Sequence, residues 1–540
     1  MTRMDPPSKS QCRGAPSSSV SETRSSGARL LFATKAAAVL FSALLMCCSA
    51  LALLGRPMWT SGSFLGRVLL LSRASVAADA VDLGWYPPAK TQINNLTAVV
   101  NGNGVYGFIY NSSETPADVY GTYNWCNMPH VRAAEYVKPD DKYQLIYVEL
   151  IHRHHKRTPY QDNSFPIETY HWDCGDIIQY HHASPLSRNN TQTATPAYWK
   201  TSPSPLNPFT PSGWQGTCSF PQITASGLSD SWQHGADLYT VYHTIHALLP
   251  AQNNPSWRSK TAYHVTNNPI TSQVAGMLLH GSWRTTDPVP LLIQPPQTDS
   301  LEPRYPCPGA SRLLSKIQSS SGWKAHLQTA VPLFADLDAR SGVSPDDAAF
   351  HASVDHYYDN LSARQCHAKP LPCHPDASAT NTAAEGECIT QSLADMTYRF
   401  GQWEYDFFYR SAGPESLAFA LASYGVWVAQ LAANLRAVVE GKGGEVVYRH
   451  HVAHDGSVSR LLGVLQADEM VWPGMGGEVV FELYVKREGG YFVRVLFGGR
   501  VLKSSNPSLG LMDLMPVEVL LAYFDGLVGV DAGLVVGKCK

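Results

Sequence analysis

Residues 153 to 159 read Arg-His-His-Lys-Arg-Thr-Pro and follow directly on the apolar run Leu145 to Ile151. A histidine flanked by arginines is suited to phosphoryl chemistry. The guanidinium fork donates two parallel hydrogen bonds to phosphate oxygens and keeps its charge at any working pH. Arg153 and Arg157 also disfavour protonation of an imidazole between them, which leaves His154 in its neutral, nucleophilic form. The preceding residues Leu145, Ile146, Tyr147, Val148, Leu150 and Ile151 predict a strand buried on both faces. Such strands lie in sheets covered by helices, and ligands bind beyond their carboxyl ends. That places Arg153 and His154 in the crevice.

A second segment lies far downstream. Val446, Val447 and Tyr448 lead through Val452 to His454-Asp455-Gly456-Ser457, and Leu461, Leu462, Val464 and Leu465 follow with helical spacing. Together the two segments resemble the histidine acid phosphatase family, within it the fungal acid phosphatase-like branch. Its first signature is Arg-His-Gly-x-Arg-x-Pro, matched by Arg153, His154, Arg157 and Pro159, with His155 where the family has glycine. Its second is a strand ending in His-Asp. The resemblance implies a phosphoglycerate-mutase-like α/β fold, in which helices flank a central, mainly parallel sheet and a helical cap is inserted. It implies that His154 attacks phosphorus to form a phosphohistidine, that Asp455 protonates the leaving oxygen, and that Arg153, Arg157 and His454 bind the phosphoryl oxygens. No cofactor and no metal is implied.

Three further segments bear on this resemblance. Cys218-Ser-Phe-Pro-Gln-Ile-Thr, with Gly227, Asp230, His234 and Gly235, resembles a helix start of the family, with Thr224 as the cap. The family then adds a phosphate-binding arginine, but the candidate positions here carry His264 and Ile270. A protonated His264 is the expected partial substitute. Near the carboxyl end, Trp472-Pro-Gly-Met-Gly-Gly precedes two alternating runs, Glu478 to Lys486 and Tyr491 to Phe497, which predict a hairpin turning at Gly489 and Gly490. This region reads as scaffold.

Six divisions follow from these positions. They are a basic tail (1–35), a membrane anchor or signal segment (36–54), a linker (55–82), a first part of the α/β domain (83–300), a helical cap (301–440) and a second α/β part (441–540). The tail is rich in Ser, Pro and Gly, and Arg3, Lys9, Arg13, Arg24, Arg29 and Lys35 face only Asp5 and Glu22. Residues 36–54 carry no charge and approach the length that spans a bilayer, with the positive flank before them. The rival reading is a signal peptide cleaved before Val81. Either route places the later residues in the secretory pathway, lumenal or extracellular. Asn95, Asn111, Asn189 and Asn360 begin glycosylation acceptor sequences. Eight cysteines follow the apolar segment, an even number that suits an oxidised domain.

Other classes find little support. A net charge of -3 argues against a nucleic-acid binder, which must neutralise many phosphates. No Gly-x-Ser-x-Gly elbow and no Gly-x-x-x-x-Gly-Lys-Ser/Thr loop occurs. His152, His154 and His155 crowd one segment and His450, His451 and His454 another, but alternate strand residues face opposite ways, so His450 and His451 cannot share one ion. Lys156 reads as solvated or as a secondary phosphate contact. The expected partner is a phosphomonoester substrate. The runner-up reading is a binder of phosphate or inositol phosphates that has lost turnover on the same fold.

Overall fold

The computed structural model describes residues 81–105, 123–166, 170–181, 197–202, 204, 206–209, 216–373 and 388–540. The basic tail, the anchor or signal segment, Asn111, Asn189 and most of the loop 183–213 lie outside them.

The apolar run at 145–151 forms the middle of strand β1, Tyr143–Arg153. The remaining strands are β2 (Gln179–His181), β3 (Ala197–Trp199), β4 (Thr261–Val265), β5 (Leu291–Leu292), β6 (Tyr448–Ala453), β7 (Glu478–Lys486), β8 (Tyr491–Phe497), β9 (Arg500–Val501) and β10 (Met515–Pro516). The main sheet runs β10-β8-β7-β1-β6-β4-β5, with β9 on β8, while β2 and β3 pair separately. Its core strands β1, β6, β4 and β5 are parallel, and β7, β8 and β10 extend it antiparallel. The sheet is therefore mixed, with a parallel core. The hairpin expected from the alternating runs is β7–β8, with positive φ at Gly489 and Gly490.

Both faces of β1 are covered. Val148 and Leu150 pack with Tyr263, Tyr448 and Val480, whereas Tyr147 and Ile151 join the larger cluster with Phe481, Leu483 and Val479. Leu150 and Ile151 are fully buried, and burying each such side chain contributes roughly 1.5–3 kcal/mol. Helices α1 (Ala225–Tyr239) and α2 (Pro269–Trp283) lie against each other beside the parallel half. The described regular elements between residues 301 and 440 are all helical: α3 (Pro308–Gln318), α4 (Ser321–Ser341), α5 (Asp355–Cys366), α6 (Gln391–Asp406) with a π-helical turn after it, and α7 (Pro414–Val439). Helices α8 (Asp455–Val464) and α9 (Val517–Val528) pack against α7. Among the described residues α7 is the one helix long and apolar enough to cross a membrane, but most of its apolar stretch is buried inside the protein.

All eight cysteines of the described residues pair, as Cys126–Cys366, Cys174–Cys218, Cys307–Cys539 and Cys373–Cys388. Four disulfides mark an extracellular or secretory-pathway protein. One glycosylation acceptor is corrected by the fold. Asn360 is fully buried in α5, donating to the Asn163 carbonyl and accepting from Arg364, so no glycan can reach it. Asn95 is exposed, with its side chain capping the helix Leu96–Asn101.

Candidate active site

Strand register brings the two motifs together. In the parallel β1–β6 ladder Arg153 lies opposite Ala453, and the His154 amide continues the ladder to the Ala453 carbonyl at 3.0 Å. The next residue on each strand is a histidine, and both leave the sheet at its carboxyl end. Their rings, His154 and His454, lie 5.4 Å apart between centroids. Asp455 then opens α8, with its Oδ1 accepting from the Gly456 amide at 2.8 Å. At a helix N-terminus the backbone dipoles favour a negative charge.

The arginines are fixed from several sides. Arg153 is buried. Its guanidinium lies 3.2 Å from the Asp455 carboxylate, donates to the Pro473 carbonyl at 2.8 Å and stacks 4.5 Å over Trp125. Arg157 pairs with Asp359 of α5 at 3.0 Å, donates to the Thr158 carbonyl at 2.8 Å and covers the Tyr160 ring at 4.2 Å. His454 Nε2 lies 3.0 Å from the Thr266 hydroxyl and 3.8 Å from Glu302. His154 Nδ1 is 3.0 Å from the His155 carbonyl. A carbonyl only accepts, so the proton sits on Nδ1 and the Nε2 lone pair is left for a ligand.

Charge and burial set the protonation states. Burial, then Arg157, Arg153 and His454, hold His154 well below the usual histidine range. Burial alone pushes the Asp455 carboxyl up, but Arg153, the Trp472 hydrogen bond, His154 and Arg157 outweigh it and hold the group below the ordinary carboxylate range. Burial also lowers His454, against the opposing pull of Glu302 and Asp455. The crevice therefore holds a neutral imidazole, an ionised carboxylate and two guanidinium groups.

Several sequence expectations need correction. Lys156 is not solvated: it is buried and paired with Asp230 of α1 at 3.0 Å. That helix comes so close that a Cβ at Gly227 would lie 2.0 Å from the Lys156 carbonyl oxygen. Thr224 caps α1 as expected, accepting from the Gly227 amide. His264 does not replace the family's arginine. It stacks on His451, 4.6 Å between centroids, and burial, His451 and Arg449 push it down to about 3. Ile270 is buried in the first turn of α2. The Trp472 segment is more than scaffold, because the Trp472 indole donates to Asp455 at 2.8 Å and Pro473 receives Arg153. Asp359 and Trp125 went unrecognised in the sequence, since neither lies in a motif, and Trp472 was read only as scaffold; each reaches the site through tertiary packing.

His155 takes up no positive φ, so the family's glycine is replaced here without backbone strain. Its ring needs space, and the facing loop provides it. A Cβ at Gly476, where φ is +74, would lie 2.5 Å from His155 Cε1 and 2.8 Å from its Nδ1. Gly476→Ala should cost about 1–2 kcal/mol from the left-handed backbone alone, plus the clash. In a His155→Gly background only the backbone part should remain. Urea unfolding of the four proteins measures this coupling, and strict additivity would refute it.

No family model matches the chain, and no curated protein matches it. Solved structures similar to it include the Citrobacter braakii phytase, at 14% identity over 74% of this chain and 99% of that one, with a TM-score of 0.46. The Hafnia alvei phytase in complex with myo-inositol hexakis sulphate matches at 14% over 73% and 99%, TM-score 0.44. The Bifidobacterium longum multiple inositol polyphosphate phosphatase in complex with inositol hexasulfate matches at 12% over 70% and 92%, TM-score 0.38.

Proposed function

We propose that the chain hydrolyses phosphomonoesters as an acid phosphatase, through a phosphohistidine on His154 and with no metal ion at phosphorus. The carrying observation is the juxtaposition of a carbonyl-oriented His154, the His454 ring and the Asp455 carboxyl at one pair of strand ends. Arg153, Arg157 and His454 bind the phosphoryl oxygens. His154 Nε2 forms a bond to phosphorus as the ester P–O bond breaks, and Asp455, ionised in the free site, takes up the proton that the monoanionic ester brings and passes it to the leaving oxygen. Water then attacks the phosphohistidine, losing its proton to Asp455, and inorganic phosphate leaves with the imidazole restored. The helices of residues 301–440 serve as a cap, and Asp359 of that region tethers Arg157 until substrate arrives. The protein acts in the secretory pathway or outside the cell.

The rival reading, a binder without turnover, draws on the residues at 264 and 270, neither of which supplies an arginine. Rapid alkaline quench of the full chain with radiolabelled phosphomonoester, which preserves a P–N bond, separates the two. The expected result is an acid-labile phosphoryl adduct on His154. Absence of both adduct and phosphate release at every pH between about 3 and 8, while phosphate still raises Tm, would favour the binder.

A further inference from the structure

Behind the nucleophile, on the sheet face away from Ile151, lies a group of histidines that the proposed reaction does not use. His152, His155, His234 and His450 are fully buried, and His130 is nearly so. Their rings contact one another: His152 and His234 at 4.8 Å, His152 and His450 at 4.8 Å, His155 and His234 at 5.2 Å between centroids. One ring nitrogen from each of His152, His155 and His234 lies within 4.8 Å of the other two.

We propose that His152, His155 and His234 hold a divalent cation of the zinc class as a structural ion. The hydrogen bonds of the outer nitrogens assign two of the three ligand atoms, those of His152 and His234. His152 Nδ1 lies 2.7 Å from the Arg153 carbonyl, so it carries the proton and leaves the Nε2 lone pair pointing inward. Among the described residues that Nε2 has no hydrogen-bond partner, and an unpartnered polar atom in the interior is costly. His234 Nε2 lies 3.0 Å from the Glu478 carboxylate, which leaves Nδ1 as its ligand atom. Imidazoles held on their outer nitrogen by a carbonyl or a carboxylate are the arrangement of metal-ligating histidines.

Spacing agrees with the assignment. His155 Nε2 and His234 Nδ1 are 3.1 Å apart, and two nitrogens bound to a tetrahedral zinc at about 2.0–2.1 Å are separated by roughly 3.3 Å. Binding moves the His155 proton from Nε2 to Nδ1, so all three ligands stay neutral. Glu478 supplies a negative charge directly behind His234. Asp237 supplies a second through His130, at 2.8 Å from it, and the His130 ring lies 4.2 Å from that of His234. The fourth position falls to water or to His450, whose Nδ1 is taken by the Tyr448 hydroxyl at 2.9 Å and whose Nε2 has no hydrogen-bond partner among the described residues.

The ion would pin His155, the residue that departs from the family pattern, and with it the carbonyl that orients His154. It stays out of the reaction and holds the backbone beside it. Three imidazoles favour zinc, copper or nickel over magnesium or calcium. Because every ligand is buried, the ion must enter as the chain folds. The site stands independently of the phosphatase reading.

The test is the metal content of the untagged full chain, produced in zinc-supplemented medium and dialysed exhaustively, by inductively coupled plasma mass spectrometry. About one zinc per folded chain is expected, falling at least tenfold in His234→Gln and in His155→Gly. Cobalt-loaded protein should show tetrahedral d–d absorption that is absent from both variants. Since His234→Gln removes a buried partner of Glu478 and risks misfolding, His155→Gly serves as the second probe. Folded wild-type protein with only traces of metal after production or refolding in zinc would overturn the proposal. Variants that keep the full zinc content would overturn it as well.

Discussion

The full chain carrying His154→Ala should release phosphate at background rate, with kcat reduced on the order of 10⁴- to 10⁶-fold, as for removal of other covalent nucleophiles. Its fold should survive. The His154 amide bonds to Ala453 through backbone alone, and among the described residues the only hydrogen bond from its imidazole goes to the His155 carbonyl. Arg153 and Arg157 remain, so inorganic phosphate should still raise the Tm of the variant through selective binding to the native state. Retained phosphate binding with lost turnover separates chemistry from recognition. Full activity in the variant would assign the wild-type hydrolysis to another group, and loss of both binding and turnover would point to a collapsed site.

The second large effect is on pH dependence. In the free protein Asp455 is ionised at any pH above its depressed value, and His154 is neutral. The site is therefore one proton short, because the leaving oxygen needs an acid. The ester must bring it. A phosphomonoester loses its second proton at about pH 6, so kcat/KM should fall tenfold per pH unit above that point and level off below it. A nitrophenyl ester, more acidic than an alkyl ester, should move the falling limb to lower pH. A limb at the same pH for both would assign it to a group on the protein. Asp455→Asn should lower kcat for alkyl phosphates by about 10²–10⁴, and less for a nitrophenyl ester, whose leaving anion needs no proton. The depressed Asp455 also stabilises the fold above its unfolded pKa of about 3.9, a contribution lost as pH falls through its native value.

How far the sequence discloses this site depends on the kind of interaction involved. Apolar continuity from Leu145 to Ile151 announces a doubly covered strand, and period-two alternation announces the β7–β8 hairpin, because both patterns are local consequences of burial. The order of His154 and His454-Asp455 was legible for the same reason, each following an apolar strand. What stayed hidden is what only tertiary packing decides. Lys156 looks solvated beside Arg157, yet Asp230 reaches it from a helix that Gly227 lets close. Trp472 looks like the start of a hairpin until its indole meets Asp455. His155 looks costly as a glycine replacement because the compensating residue, Gly476, lies on another loop. Asn360 matches an acceptor sequence, and only burial in α5 disqualifies it.

The β1–β6 ladder also carries a consequence for divergence. The separation of the proposed nucleophile and acid is measured in backbone hydrogen bonds across two adjacent strands, and nothing in that ruler counts the residues between them. Insertions, deletions or wholesale exchange within the intervening helices can reshape what the crevice admits while the reacting groups keep their spacing. A one-residue slip inside Tyr448–Ala453 would instead turn His454 to the opposite side of the sheet. Tolerance to change should therefore be broad across hundreds of residues and nearly absent in six.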